Sequence, residues 1–228
     1  MTENRPRAQI IGDRWLIIIA LTLVAITAWN SRYSLFPPPK GYARFSDYGI
    51  SFLYPDNMNL WEAPINDDGS EVRDGSRTVS EDWGDVGWYS GNVDFERLGQ
   101  EGYFDQSGVL WVADGWPDNL EEVLNLFYTK AKSVAERRGR EIELSAGTVG
   151  TLAVRGHEVI YQLFNYTQIV AGERLQTIIW GVVGGWYCED SGRMIALYYE
   201  EWYTVDPIYD GPELFNKFRF YLESVRCH

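Results

Sequence analysis

The stretch "ARFSDYGISFLYPDNMNLW", residues 43–61, decides how the chain is read. Ile50, Phe52 and Tyr54 fall at every second position, and Pro55-Asp56-Asn57 closes the run. Alternation of period two stopped by a proline marks residues 49–54 as a strand with one buried face. A folded domain therefore opens near residue 45, and the chain before it is of a different kind.

Residues 15–29 carry no charge and are almost wholly aliphatic. Fifteen helical residues span roughly 22 Å, short of the ~30 Å hydrocarbon core of a bilayer. Ile10 and Ile11 add about one turn if Asp13 and Arg14 sit at the interface. Trp15 and Trp29 bracket the run as interfacial anchors do. A cleaved signal peptide is the competing reading, but the small residues it needs, Ala25 and Thr27, lie inside the apolar run. The expectation is an uncleaved anchor. Residues 1–14 form a short tail, 15–32 a transmembrane helix, 33–44 a spacer stiffened by Pro37-Pro38-Pro39, and 45–228 one extracytoplasmic domain. Arg5, Arg7 and Arg14 precede the apolar run and Arg32, Lys40 and Arg44 follow it, so basic residues do not orient it.

Charge separates the two parts. Residues 1–44 hold six Lys/Arg and two Asp/Glu, a balance of +4, while residues 45–228 hold 14 and 31, a balance of −17. So acidic a domain is repelled by nucleic acid and by anionic lipid, which excludes nucleic acid as a partner. Solubility accounts for the acidity most simply; a basic partner is the sharper reading.

Within the domain, residues 66–85 read as an acidic loop, and residues 83–113 as short strands punctuated by glycine. Residues 117–139 form the clearest helix. Leu120, Val123, Leu124, Phe127, Ala131, Val134 and Ala135 make its apolar face, Asp118 and Glu121 suit a capping box, and Gly139 can end it. Strands follow over 148–155, 158–168, 175–188 and 194–199. Pro212 opens a last helix, with Leu214, Phe215, Phe218, Tyr221, Leu222 and Val225 on its apolar face. Hairpin-length connections imply an antiparallel sheet that the helices must cover. The fold class expected is α+β, an α-β-α sandwich around a central antiparallel sheet, preceded by one N-terminal transmembrane helix.

The segment "FSDYGISFLYPDNM" resembles the first strand of PsbP-like domains, through Phe45, Asp47, Gly49, Ile50, Phe52, Tyr54 and Pro55. The order of elements over 45–228 is similar as well. A departure is Met58, where the family usually has a Trp soon after the Pro; here Trp61 comes later. The resemblance implies an α-β-α sandwich and a non-catalytic binding module, as in extrinsic photosystem proteins and a nuclear-import factor of the same fold. It transfers no functional residue, since fold does not fix function.

Cys188 and Cys227 are the two cysteines, and in an exported domain such a pair reads as one disulfide. Two buried free thiols are the alternative. His157 and His228 are the two histidines; His157-Glu158 lacks the second His of a zinc-protease motif, and two Cys without more His do not build a structural zinc site. No nucleophile elbow or phosphate-binding glycine loop occurs, so no catalytic residue, metal or cofactor is expected. Asp67, Asp68, Glu71, Asp74, Glu81, Asp82 and Asp85 could gather calcium, which takes six to eight oxygens, but a solvated loop is the simpler reading. Trp83, Trp88, Trp111 and Trp116 beside these acids could stack on sugars, or could be core. Asn165-Tyr166-Thr167 is a glycosylation sequon inside a strand.

The function expected is that of a membrane-anchored, extracytoplasmic, non-catalytic binding module of the cell envelope with a protein partner. The alternative is a calcium- or carbohydrate-dependent surface enzyme built on segment 67–116. Space discriminates the two: the enzyme requires those acids and rings to line one cleft.

Overall fold

The computed structural model describes residues 37–90, 103–113, 121–170, 176–203 and 211–227, together with Trp15, residues 18–22 and Val24 of the N-terminal segment. The chain divides into two compact units, Met1–Lys40 and Gly41–His228. In the first unit the described residues from Trp15 to Val24 are helical, and Trp15, Ile18, Ile19, Leu21 and Val24 are exposed. Among the described residues no helix is long and apolar enough to cross a membrane. Most of the span expected over 15–32 lies outside the described residues.

The second unit opens with a hairpin. Strand β1 (Tyr42–Asp47) pairs antiparallel with β2 (Ile50–Pro55), with Phe45 opposite Phe52. Tyr48 and Gly49 both have positive φ, 51° and 69°, the geometry of a two-residue type I′ turn. Asp47 Oδ1 accepts a hydrogen bond from the Tyr48 amide at 2.8 Å and holds that turn. The Asp-x-Gly of the opening motif is therefore turn chemistry. β1 begins at Tyr42, so three residues expected in the proline-rich spacer are strand.

The remaining strands are β3 (Asn59–Ala63), β4 (Trp83–Tyr89), β5 (Tyr103–Val112), β6 (Arg140–Val154), β7 (His157–Val170), β8 (Gln176–Cys188), β9 (Arg193–Tyr203) and β10 (Arg226–Cys227). The helices are α1 (Glu121–Arg137) and α2 (Gly211–Ser224). Strands β3 to β9 form one seven-stranded antiparallel sheet in the order β3-β4-β5-β9-β8-β7-β6, and β1-β2-β10 form a small second sheet. Each helix covers one face of the large sheet, and neighbouring glycines of β8 show this directly. A Cβ added at Gly184 would sit 2.5 Å from the Phe218 ring of α2, and one at Gly185 would sit 2.5 Å from Val123 of α1. Successive strand residues face opposite sides, so the two helices must too.

The α2 face carries the larger core. Leu214, Phe218 and Leu222 pack with Val159, Trp186, Ile195 and Trp88, and the small sheet closes over them through Phe52. The Phe52 and Trp88 rings stack at 5.0 Å. Trp88 and Trp111 are fully buried there, as the core reading of those rings requires. Cys188, at the end of β8, is disulfide-bonded to Cys227 in β10, with Cα atoms 6.5 Å apart. Because β10 pairs with β2, the bridge ties the small sheet to the large one.

Candidate functional site

The α1 face is built differently. Opposite-facing alternation brings Asp85 of β4, Gln106 of β5, Tyr166 of β7, and Tyr198, Glu200 and Trp202 of β9 to that side. Cross-strand register places Gln106 against Glu200 and Phe104 against Trp202. Two glycines make room on this surface. A Cβ at Gly87 would meet the Trp61 ring at 2.5 Å, and one at Gly108 would meet the Tyr198 ring at 2.6 Å. Both rings therefore lie across bare backbone. Above them α1 presents Phe127, Lys130, Ala131 and Val134, and a cavity of about 460 Å³ remains between helix and sheet.

Lys130 is the centre of the site. Its ammonium lies 2.9 Å from Asp85 Oδ2 and donates to Tyr198 Oη at 2.6 Å. It also sits 3.9 Å from the Tyr198 ring centroid and 4.7 Å from that of Trp61. Lys130 is 7% exposed and Asp85 is 0% exposed. Asp85 Oδ2 has this ionic contact but no hydrogen bond of good geometry among the described residues; we read the pair as an ion pair, because the 2.9 Å separation leaves no room for anything between the charges. Burial pushes the Asp85 carboxyl above its ordinary range, and Lys130 and Tyr198 oppose that shift.

A second buried carboxylate stands beside it. Glu200, 1% exposed, accepts hydrogen bonds from Tyr166 Oη at 3.0 Å, Trp202 Nε1 at 3.1 Å and the Gln106 amide. Burial raises its pKa, against the pull of Lys130 and these donors. Burial also drives the Tyr166 and Tyr198 hydroxyls well above the ordinary tyrosine range, so both remain proton donors.

The rim joins α1 to the acidic loop. Glu71 Oε1 pairs with Arg137 at 2.9 Å, and the Glu71 amide donates to Ser133 Oγ. Glu71 Oε2 is buried with no hydrogen-bond partner among the described residues. Arg138, an exposed residue, completes the rim, and its side chain makes no hydrogen bond or ion pair among the described residues. Gly69 carries the loop against the helix: its φ is +85°, and an added Cβ would lie 2.7 Å from Leu126 Cα.

This geometry corrects the loop reading. Residues 66–82 are largely irregular, but they are pinned to α1 at Gly69, Glu71 and Arg73. Asp85 belongs to β4, not to the loop. Of the seven acids, Asp67, Asp68, Asp74, Glu81 and Asp82 are exposed, and Asp67 is paired with Arg77 at 2.6 Å. Only Glu71 and Asp85 reach the pocket, each against a cation. Trp83 is half-buried with the Arg77 guanidinium 4.2 Å over its ring, and Trp116 lies outside the described residues, as does Asp118 of the expected capping box. The single cleft that a calcium or sugar enzyme needs on segment 67–116 is not formed among the described residues.

Two other sequence candidates have definite places. His157, at the start of β7, lies 4.0 Å from Cys227 Sγ, and its ring groups with the two sulfurs within metal-binding range. Both sulfurs are consumed by the disulfide, so no thiolate is offered. Asn165 is inside β7, paired to β6 on one side and β8 on the other.

Sequence reasoning missed Lys130, Glu200, Tyr166, Tyr198 and Trp61. One signal was present: Lys130 stands three residues after Phe127 and seven after Val123, inside the apolar stripe of α1. A lysine there must find a buried partner.

No family model matches the chain, and no curated protein matches it. Several solved chains are similar in shape. The solution structure of cyanobacterial PsbP from Synechocystis sp. aligns with a TM-score of 0.43 and 16% identity, over 84% of this chain and 95% of that one. Similarity of that size says nothing about what the pocket of this chain holds.

Proposed function

We propose that the chain is a membrane-anchored, extracytoplasmic, non-catalytic binding module of the cell envelope, and that it holds a small ligand in the pocket between α1 and the large sheet. The observation that carries the reading is the pocket itself. Its volume lies within the ~300–1,000 Å³ usual for small-molecule sites, and aromatic walls surround a few fixed polar groups. The buried ionisable groups hold one another: Asp85 with Lys130 and Tyr198, Glu200 with three donors. Groups saturated in this way orient a ligand rather than exchange protons with it.

The anchor rests on the uncharged run from residue 15 to 29. The outward orientation rests on the disulfide, because cytosolic thiols are normally kept reduced. The sequence expectation of a protein partner has a surface to draw on. Residues 143–148 of β6, the outer strand of the large sheet, are exposed at every position, and an unpaired strand edge offers backbone groups to another chain.

Two experiments test the proposal. Anilinonaphthalene sulfonate should bind the full chain in detergent, and Ala131→Trp, which fills the pocket, should abolish that binding while thermal unfolding stays cooperative. Equal binding by the filled variant sinks the pocket reading. N-terminal sequencing of membrane-extracted protein should start before residue 15; a start near Trp29 removes the anchor.

A further inference from the structure

We propose that the pocket selects a zwitterion, a free α-amino acid with an apolar or aromatic side chain; this rests on the pocket reading above. The lining holds three carboxylates, Glu71, Asp85 and Glu200, and three cations, Lys130, Arg137 and Arg138. The site is therefore formally neutral, and it favours a ligand without net charge. Most of these charges are engaged internally. Glu200 has its three donors, Lys130 has Asp85 and Tyr198, and Arg137 has Glu71 Oε1.

What is left over has a definite polarity. Glu71 Oε2 is a buried acceptor to which no described residue donates a hydrogen bond. An unmet buried acceptor is costly, and a ligand N–H group relieves it. Arg138 is the opposite case, a guanidinium at the mouth with no side-chain acceptor among the described residues, shaped for a carboxylate. Between them the walls are rings: Trp61, Tyr89, Phe104, Phe127, Tyr166 and Trp202. An ammonium, a carboxylate and an apolar body on one small frame meet all three requirements. An amine alone makes no use of Arg138, and an acid alone leaves Glu71 Oε2 unmet while adding charge beside it.

Calorimetric titration of the full chain in detergent decides the matter. The probes are L-phenylalanine, L-leucine and L-tryptophan, with phenethylamine and phenylpropionate as versions of phenylalanine lacking one charged group. At least one amino acid should bind, and phenylalanine should bind at least 10-fold tighter than either truncated form. Arg138→Gln should erase the advantage over phenethylamine but keep that over phenylpropionate; Glu71→Gln should do the reverse. If phenethylamine or phenylpropionate binds as tightly as phenylalanine, the zwitterion is wrong. If no amino acid binds while anilinonaphthalene sulfonate still enters and is excluded by Ala131→Trp, this inference falls and the pocket reading stands. If the dye does not enter either, both fall.

Discussion

Removing one partner of the Asp85–Lys130 pair should damage the protein far more than removing both. At 2.9 Å, and with an effective dielectric of about 20, the two charges attract by about 6 kcal/mol. Most of that attraction offsets the cost of taking both charges out of water, so the pair as a whole adds little. Lys130→Met strands an anion at a position that is 0% exposed, with Tyr198 as its remaining donor at 3.3 Å. The expected loss is about 3–5 kcal/mol. Asp85→Asn strands a cation instead, but the ammonium keeps the faces of Tyr198 and Trp61, and a desolvated cation–ring contact is worth about 2 kcal/mol. Its loss should be smaller, about 2–3 kcal/mol after that contact is counted. The double variant should recover at least about 2 kcal/mol relative to the sum of the singles. Urea unfolding of the full chain in detergent at neutral pH, followed by tryptophan fluorescence, measures all four corners. Additivity within about 0.5 kcal/mol, or a worse loss for Asp85→Asn than for Lys130→Met, would refute the reasoning.

Replacing both Cys188 and Cys227 by Ala should cost about 2–4 kcal/mol, since the bridge closes a loop with a sequence separation of 39, and hydrogen exchange at Ile50 and Ser51 should accelerate first. Unchanged protection there would show that β10 does not depend on the bridge. Glu200 has a raised folded-state pKa, so its contribution is full below its unfolded value near 4.5 and is lost as pH rises through the folded value. Glu200→Gln should therefore flatten the decline in stability as pH rises from the unfolded value toward neutrality; an unchanged or steeper slope in pH-resolved urea unfolding argues otherwise. Gly185→Ala forces a methyl to within 2.5 Å of Val123 and should destabilise by about 1–3 kcal/mol, with partial rescue by Val123→Ala in a thermal unfolding series. Rescue that fails to appear would mean the strain lies elsewhere.

Much of the fold was legible because it depends on local periodicity. The 3.6-residue stripe of α1, the period-two runs of β7 and β8, and Pro212 at the start of α2 each point to one local structure whatever surrounds them. The Asp47-Tyr48-Gly49 turn is local in the same way. Boundaries were lost where burial overrode composition. β9 was expected over 194–199, yet Glu200 and Glu201 continue the strand, one facing the pocket and the other facing Lys217. The pocket itself was invisible because its parts are far apart in the chain. Asp85 reads as an acidic-loop residue by sequence and Lys130 as a helix residue without a visible partner, and they become a buried pair only when β4 and α1 meet. The notch that admits Trp61 and Tyr198 needs Gly87 and Gly108 side by side, which β4–β5 register supplies. Local chain chemistry thus determined the elements and the turn, since those rest on neighbouring residues. Which charges meet, and what space they enclose, was decided by cross-strand register and helix packing, interactions that exist only once distant segments share one face of the sheet.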